Sequence, residues 1–84
     1  MQGSWEYETP DGSLKEFSRT SNGTIELAFQ QKHSEDIELM ENDVTQFTVS
    51  LSKMTASYDD EHFNEQVAPI FRRSAGNMWI YAGL

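Results

Sequence analysis

Ile37-Glu38-Leu39-Met40-Glu41-Asn42-Asp43-Val44-Thr45-Gln46-Phe47-Thr48-Val49-Ser50-Leu51-Ser52-Lys53-Met54 is the stretch on which the fold turns. It carries the densest apolar pattern of the 84-residue chain and opens its most acidic part. Three readings fit it. In the first, Ile37 and Leu39 alternate with acids as a half-buried strand does. Asn42 or Asp43 then caps a helix that puts Val44, Phe47, Leu51 and Met54 on one face. In the second, Ser34 caps one long helix, and Ile37, Met40, Val44, Phe47, Leu51, Met54 and Tyr58 repeat at a/d spacing. In the third, Phe47-Thr48-Val49-Ser50-Leu51 alternate as another strand. The long helix would hold Asn42-Asp43 in mid-span, together with Thr45, Thr48, Val49, Ser50 and Ser52, all mediocre helix formers. Strand followed by helix is the preferred reading.

Upstream, Trp5-Glu6-Tyr7-Glu8 alternates as a strand, and Thr9-Pro10-Asp11-Gly12 is a strong turn signal. Leu14–Thr20 reads as a second strand, Ser21-Asn22-Gly23 as a second turn, and Thr24–Gln30 as a third strand. The apolar pattern selects a register with three-residue loops, in which Trp5 faces Phe17 and Phe17 faces Leu27. One sheet face then collects Trp5, Tyr7, Phe17, Ile25, Leu27 and Phe29. The other carries Glu6, Glu8, Glu16 and Glu26 as a compact negative patch, with Glu6 opposite Glu16.

Downstream, Ser57-Tyr58-Asp59-Asp60 matches a capping box, and Phe63, Val67, Ile70 and Phe71 follow at helical spacing. Pro69 breaks or kinks that helix near Ala68. Arg72-Arg73 suits its C-terminus, and Gly76 ends it. Asn77–Ala82 is a candidate C-terminal strand. The predicted fold class is α+β: an antiparallel three- to four-stranded meander from Trp5 to Leu39, packed on one face by one or two helices from 43 to 75. The chain is short enough to make a single domain, 1–84.

Net charge is −8, and residues 35–65 hold nine acids against one base, Lys53. Elsewhere five acids balance five bases. Direct nucleic-acid binding needs a basic patch that this chain lacks, so a basic protein surface is the favoured partner. There is no cysteine for a disulfide or a thiolate zinc site, and no apolar run long enough to span a membrane. No signal peptide is visible, so a cytoplasmic location is expected, that of a host cell if the chain is viral.

No nucleophile motif, P-loop or dinucleotide fingerprint appears, and no enzyme activity or cofactor is expected. His62 and Glu65 stand three apart with Glu61 beside them, but a second histidine at metal-binding spacing is missing, and exposed polar helix face is the plainer reading. Tyr58, Trp79 and Tyr81 are candidate interface anchors. The expected function is that of a small acidic inhibitor occupying the nucleic-acid-binding surface of a partner. Phage anti-restriction, anti-CRISPR and DNA-mimic proteins act in this way. The partner-binding residues would be Glu35, Asp36, Glu38, Glu41, Asp43, Asp59, Asp60, Glu61, Glu65, Trp79 and Tyr81. The alternative is a structural or adaptor module that associates through apolar surface, including a homodimer along the a/d stripe.

Overall fold

A computed structural model describes residues 3–42 and 44–74. The chain forms strands β1 (Gly3–Glu8) and β2 (Leu14–Glu16), helix α1 (Arg19–Gln30), and strands β3 (Ile37–Glu41), β4 (Thr45–Ser50), β5 (Thr55–Asp59) and β6 (Glu65–Ser74). All pairings are antiparallel, in the order β2-β1-β6-β5-β4-β3. Although β1 and β3 lie far apart in that order, α1 packs against both. The Tyr7 ring meets those of Phe47 and Tyr58 across the interior at 5.1 and 5.8 Å. The sheet is therefore curled into a half-barrel, and α1 lies across its open side.

Inward residues of every strand but β2, which is exposed throughout, make the core. Ile37, Val49, Ala56 and Ala68 form one row through four strands, and Leu39, Phe47, Tyr58 and Gln66 form the next. Trp5, Tyr7 and Ile70 close it from the β1 side, and Phe17 and Ile25 from the segment leading into and along α1. Strand β6 serves two neighbours in succession. Glu65–Pro69 pairs with β5, and Ile70–Ser74 pairs with β1. Pro69, which has no N–H to give, stands at this handover, where a ladder bond is most easily spared.

The expected meander of three to four strands under helices at 43–75 is overturned. Six strands form, and the one helix among the described residues lies at 19–30, where the third strand was expected. Ile25, Leu27 and Phe29 alternate, but so do many short stretches that fold as helix. The helical spacing of Ser21, Asn22, Ile25, Glu26 and Phe29 decides, because each has a partner on that face. Asn22 Oδ1 accepts from Trp5 N at 2.6 Å, and its Nδ2 donates to the Gly3 carbonyl at 3.1 Å. Leu27, expected in the core, is 59% exposed.

In the opening stretch Ile37–Leu39 is a strand as expected, but the helix after it is not there. Thr45–Ser50 and Thr55–Asp59 are strands instead, which suits their β-branched content. The a/d seam is lost with the helix. Strand β6 replaces the helix expected around Phe63–Phe71. The candidate strand Asn77–Ala82 lies outside the described residues.

The first hairpin keeps its predicted register. Phe17 N donates to the Trp5 carbonyl at 3.1 Å, and Glu6 lies opposite Glu16. The four-glutamate patch does not form. Glu6 is buried and pairs with Arg73 Nη2 at 3.1 Å. Glu26 lies on α1 and is buried. Its Oε1 accepts from Trp5 Nε1 at 2.8 Å and from Arg72 Nε at 2.9 Å. Its Oε2 accepts from Arg72 Nη2 and from Gln30 Nε2, each at 2.7 Å.

The Arg72 guanidinium is the main reason the Glu26 carboxyl is held down at about 2, against an opposing push from burial, with Gln30 and Trp5 pulling the same way. A depressed folded-state value adds stability that is complete above the unfolded-state pKa and is lost as pH falls toward 2. Glu26→Gln should lower unfolding free energy by on the order of 3 kcal/mol at pH 7. It should also flatten the stability curve between about pH 5 and 2, as read by urea titration at several pH values. Gly23 lies inside α1, with open space where a Cβ would stand. Gly23→Ala should stabilise by roughly 0.5–1 kcal/mol in the same assay.

Candidate functional site

One mouth of the half-barrel opens into a cavity of about 930 Å³. Tyr7, Phe47 and Tyr58 make its floor. The Phe47 and Tyr58 rings stack at 4.7 Å, and Tyr7 packs edge-on against both. Burial raises the Tyr58 phenol above its ordinary pKa, with Asp60 adding to it. Burial likewise raises Tyr7, followed by Tyr58 and Glu41. Both phenols therefore present neutral hydroxyls. One lip is the β3–β4 turn with Asn42 and Val44, and the other is the β5–β6 turn with Asp60, Glu61 and Phe63.

The β5–β6 turn repeats the β1–β2 turn bond for bond. Thr9 N donates to the Ser13 carbonyl and Gly12 N to the Thr9 carbonyl. Asp60 N donates to the Asn64 carbonyl and Phe63 N to the Asp60 carbonyl. In the first turn the left-handed position holds Gly12, at φ 89°, and in the second it holds Phe63, at φ 62°. A bulky residue at positive φ is strained. Phe63 recovers little by packing, since 87% of it is exposed. Val44 on the other lip is 81% exposed.

The turn is held by Asp60. Its Oδ1 accepts from His62 N at 2.8 Å and Asn64 N at 3.0 Å, and its Oδ2 accepts from Gln66 Nε2 at 3.0 Å. These bonds, that from Asn64 foremost, hold its carboxyl below the usual aspartate value.

The residues expected to bind a partner do not form one surface. Asp59, Asp60 and Glu61 gather at the cavity. Glu41 lines it too but is buried, and its carboxylate is spent inside the fold. It accepts from Ser18 N at 2.7 Å, Ser18 Oγ at 2.9 Å and Ser21 Oγ at 2.5 Å, which ties the start of α1 to the end of β3. Ser18 is itself the N-cap. Glu35, Asp36, Glu38 and Glu65 are exposed and do not line the cavity, and Glu38 accepts from Gln46 Nε2 at 2.8 Å. Asp43, Trp79 and Tyr81 lie outside the described residues.

Lys15, Thr45, Gln46 and Phe63 line the cavity without having been expected there. For Phe63 the sequence held no signal, since its turn is matched to the one at Gly12 only through their hydrogen bonds.

His62 Nε2 lies 3.5 Å from a Glu61 carboxylate oxygen, with both side chains exposed. They sit in a turn, not on a helix face. Among the described residues no group of three or more His, Asp or Glu is placed to hold a metal. None of the described helices is long and apolar enough to cross a membrane.

A curled antiparallel sheet with one helix across it and an aromatic-floored mouth is the frame of a small binding module. Residues 4–69 match the WWE domain family, and the chain belongs to it. The WWE domain is a protein-interaction module rather than a catalytic one. No individually curated protein matches the chain.

Because Phe63 occupies a glycine position and packs on little, Phe63→Gly should raise stability by roughly 0.5–1 kcal/mol. Urea denaturation of the two forms measures it, and a loss of stability would show that the phenyl ring supports the fold.

Proposed function

We propose that this domain binds a partner protein through the cavity mouth lined by Asn42 and Val44 on one side and by Asp60, Glu61 and Phe63 on the other. The observation that supports it is that Val44 and Phe63, two strongly exposed apolar side chains, both line an aromatic-floored cavity. Membership of a protein-interaction family points the same way.

The charge at the mouth favours a basic partner surface. Asp59, Asp60 and Glu61 stand there against Lys15. Poly-ADP-ribose-modified proteins are among the partners of WWE domains. A polyanion would meet carboxylates at this mouth, with one lysine in the lining to neutralise it. The DNA-mimic form of the acidic-inhibitor reading has less to stand on. It needs a regular row of free carboxylates, whereas Glu6 and Glu26 are ion-paired and Glu41 is bonded to Ser18 and Ser21. A cytoplasmic setting fits this reading.

Affinity capture from native lysate tests it with two variants. Thr45→Trp fills the mouth, and Glu35→Gln changes charge away from it. The wild-type domain and Glu35→Gln should retain the same partner, and Thr45→Trp should lose it while keeping its thermal transition. Capture should also weaken as salt is raised from about 50 to 500 mM. A partner retained equally by Thr45→Trp would remove the cavity from the reading.

A further inference from the structure

We propose that the outer face of β6 is a self-association surface, and that its occupant is a second copy of this chain, packed face to face about a two-fold axis at Pro69.

Along β6, Ala68 and Ile70 are buried, whereas Glu65, Val67, Pro69, Phe71 and Arg73 are exposed and share the outer face. In chain order those five read acid, apolar, apolar, apolar, base. Val67 is 64% and Phe71 43% exposed. A single exposed apolar side chain is ordinary, but three in succession on one strand face make a stripe. None of the three belongs to the core or lines the cavity. Their neighbours on β5 carry no charge, since Pro69 stands opposite Thr55 and Val67 opposite Ser57.

The order of the five decides the occupant. Under a two-fold axis through Pro69, a residue ahead of it on one copy meets the residue equally far behind it on the other. Phe71 then faces Val67 of the second copy, and Arg73 faces Glu65. Each contact occurs twice, so the stripe is complementary to itself. Moving the axis by two residues in either direction would set Arg73 or Glu65 against Pro69. Two copies of a chain of net charge −8 repel each other overall, and this register brings an acid to a base at both ends.

Arg73 is already placed for a second carboxylate. Its Nη2 meets Glu6 Oε1 at 3.1 Å, which holds it on the outer face, and its side chain remains 53% exposed. A guanidinium carries more N–H donors than one carboxylate can take.

Packed sheets lie about 10 Å apart, a gap that interdigitated Phe71 and Val67 fill and that arginine and glutamate side chains span. From Glu65 to Arg73 the stripe runs roughly 26 Å, and with the strands on either side it is about 14 Å wide. That is small for a specific interface, so the dimer forms only as concentration rises. The two-fold axis places the two β5–β6 turns at opposite ends. Both cavity mouths therefore stay open, and the pair can hold a partner with repeated sites more tightly than one copy can.

Sedimentation equilibrium of the full chain from about 10 µM to about 1 mM tests this. The apparent mass should rise from that of one chain toward that of two. Over the same range the ¹⁵N-labelled amides of Val67, Phe71 and Arg73 should shift, and those of Gly23 and Thr45 should not. Glu65→Arg and Arg73→Glu should each weaken association at least about tenfold, because each sets like charges together twice. Mixed in equal amounts they should recover to within about threefold of wild type, because the mixed pair opposes base and acid at both ends.

Val67→Glu and Phe71→Lys leave the Glu6–Arg73 pair intact and carry the same test if Arg73→Glu loses its thermal transition. Each alone should weaken association, and their mixture should associate more tightly than either. A mass fixed at one chain up to about 1 mM, a dimer that none of these substitutions weakens, or mixtures no tighter than their components would each overturn the proposal.

Discussion

The Glu26 carboxylate, held between Trp5 and Arg72, is the constraint on which the rest of this structure depends. It ties three segments that are far apart in sequence: β1, α1 and the end of β6. A buried ion pair is weak as a source of net stability, because desolvation offsets much of the attraction. Its value here is directional. Two Arg72 nitrogens and the Trp5 indole fix the helix in rotation as well as position. Gly3 belongs to the same arrangement, since a Cβ there would stand 2.7 Å from Arg72 Nε. Once α1 is set, its N-terminus reaches the end of β3, and Glu41 closes the curl by accepting from Ser18 and Ser21. The cavity mouth is the space that this closure leaves.

Parts of this arrangement can be read in the residues, and parts cannot. Thr9-Pro10-Asp11-Gly12 announces its turn, and the Trp5–Phe17 register follows from pairing apolar with apolar. Ile37–Leu39 alternates and is a strand. The errors lie where local pattern fits two structures equally well. Thr24–Gln30 alternates, yet forms the helix because Asn22 and Glu26 find partners on β1 and β6, contacts at sequence separations no local pattern contains. Val44, Phe47, Leu51 and Met54 keep helical spacing by coincidence. Their neighbours Thr45, Thr48 and Val49 carry the truer signal, since β-branched side chains suit a pleated surface.

The site was less legible than the fold. The concentration of acids between residues 35 and 65 is real in sequence but dispersed in space. Asp59, Asp60 and Glu61 reach the mouth because the β5–β6 turn brings them there, whereas Glu35 and Asp36 sit in the loop after α1. Glu41 looks the same as they do in sequence and is instead a buried tie between β3 and the start of α1. Charge counting cannot separate a carboxylate that faces solvent from one that has already found three donors. Nor can it see Phe63. The Glu61-His62-Phe63 turn carries no glycine or proline, so its likeness to Pro10-Asp11-Gly12 appears only in the hydrogen bonds.

The handover at Pro69 has a consequence for the order of folding. Strands β3, β4 and β5 are joined by short turns and can pair as soon as they are made. Strand β1 cannot finish. Its neighbours are the three-residue β2 and the far half of β6, where Gly3 meets Ser74. On a ribosome, Trp5 and Tyr7 would leave the exit tunnel first and wait for Ile70 and Arg72 to follow before their side of the barrel could close. The slow step should be this one long-range pairing, because loop-closure entropy must be overcome before any contact forms to offset it. During that interval the core aromatics of β1 are shielded by little more than the nascent helix, and this is when the chain is most exposed to aggregation.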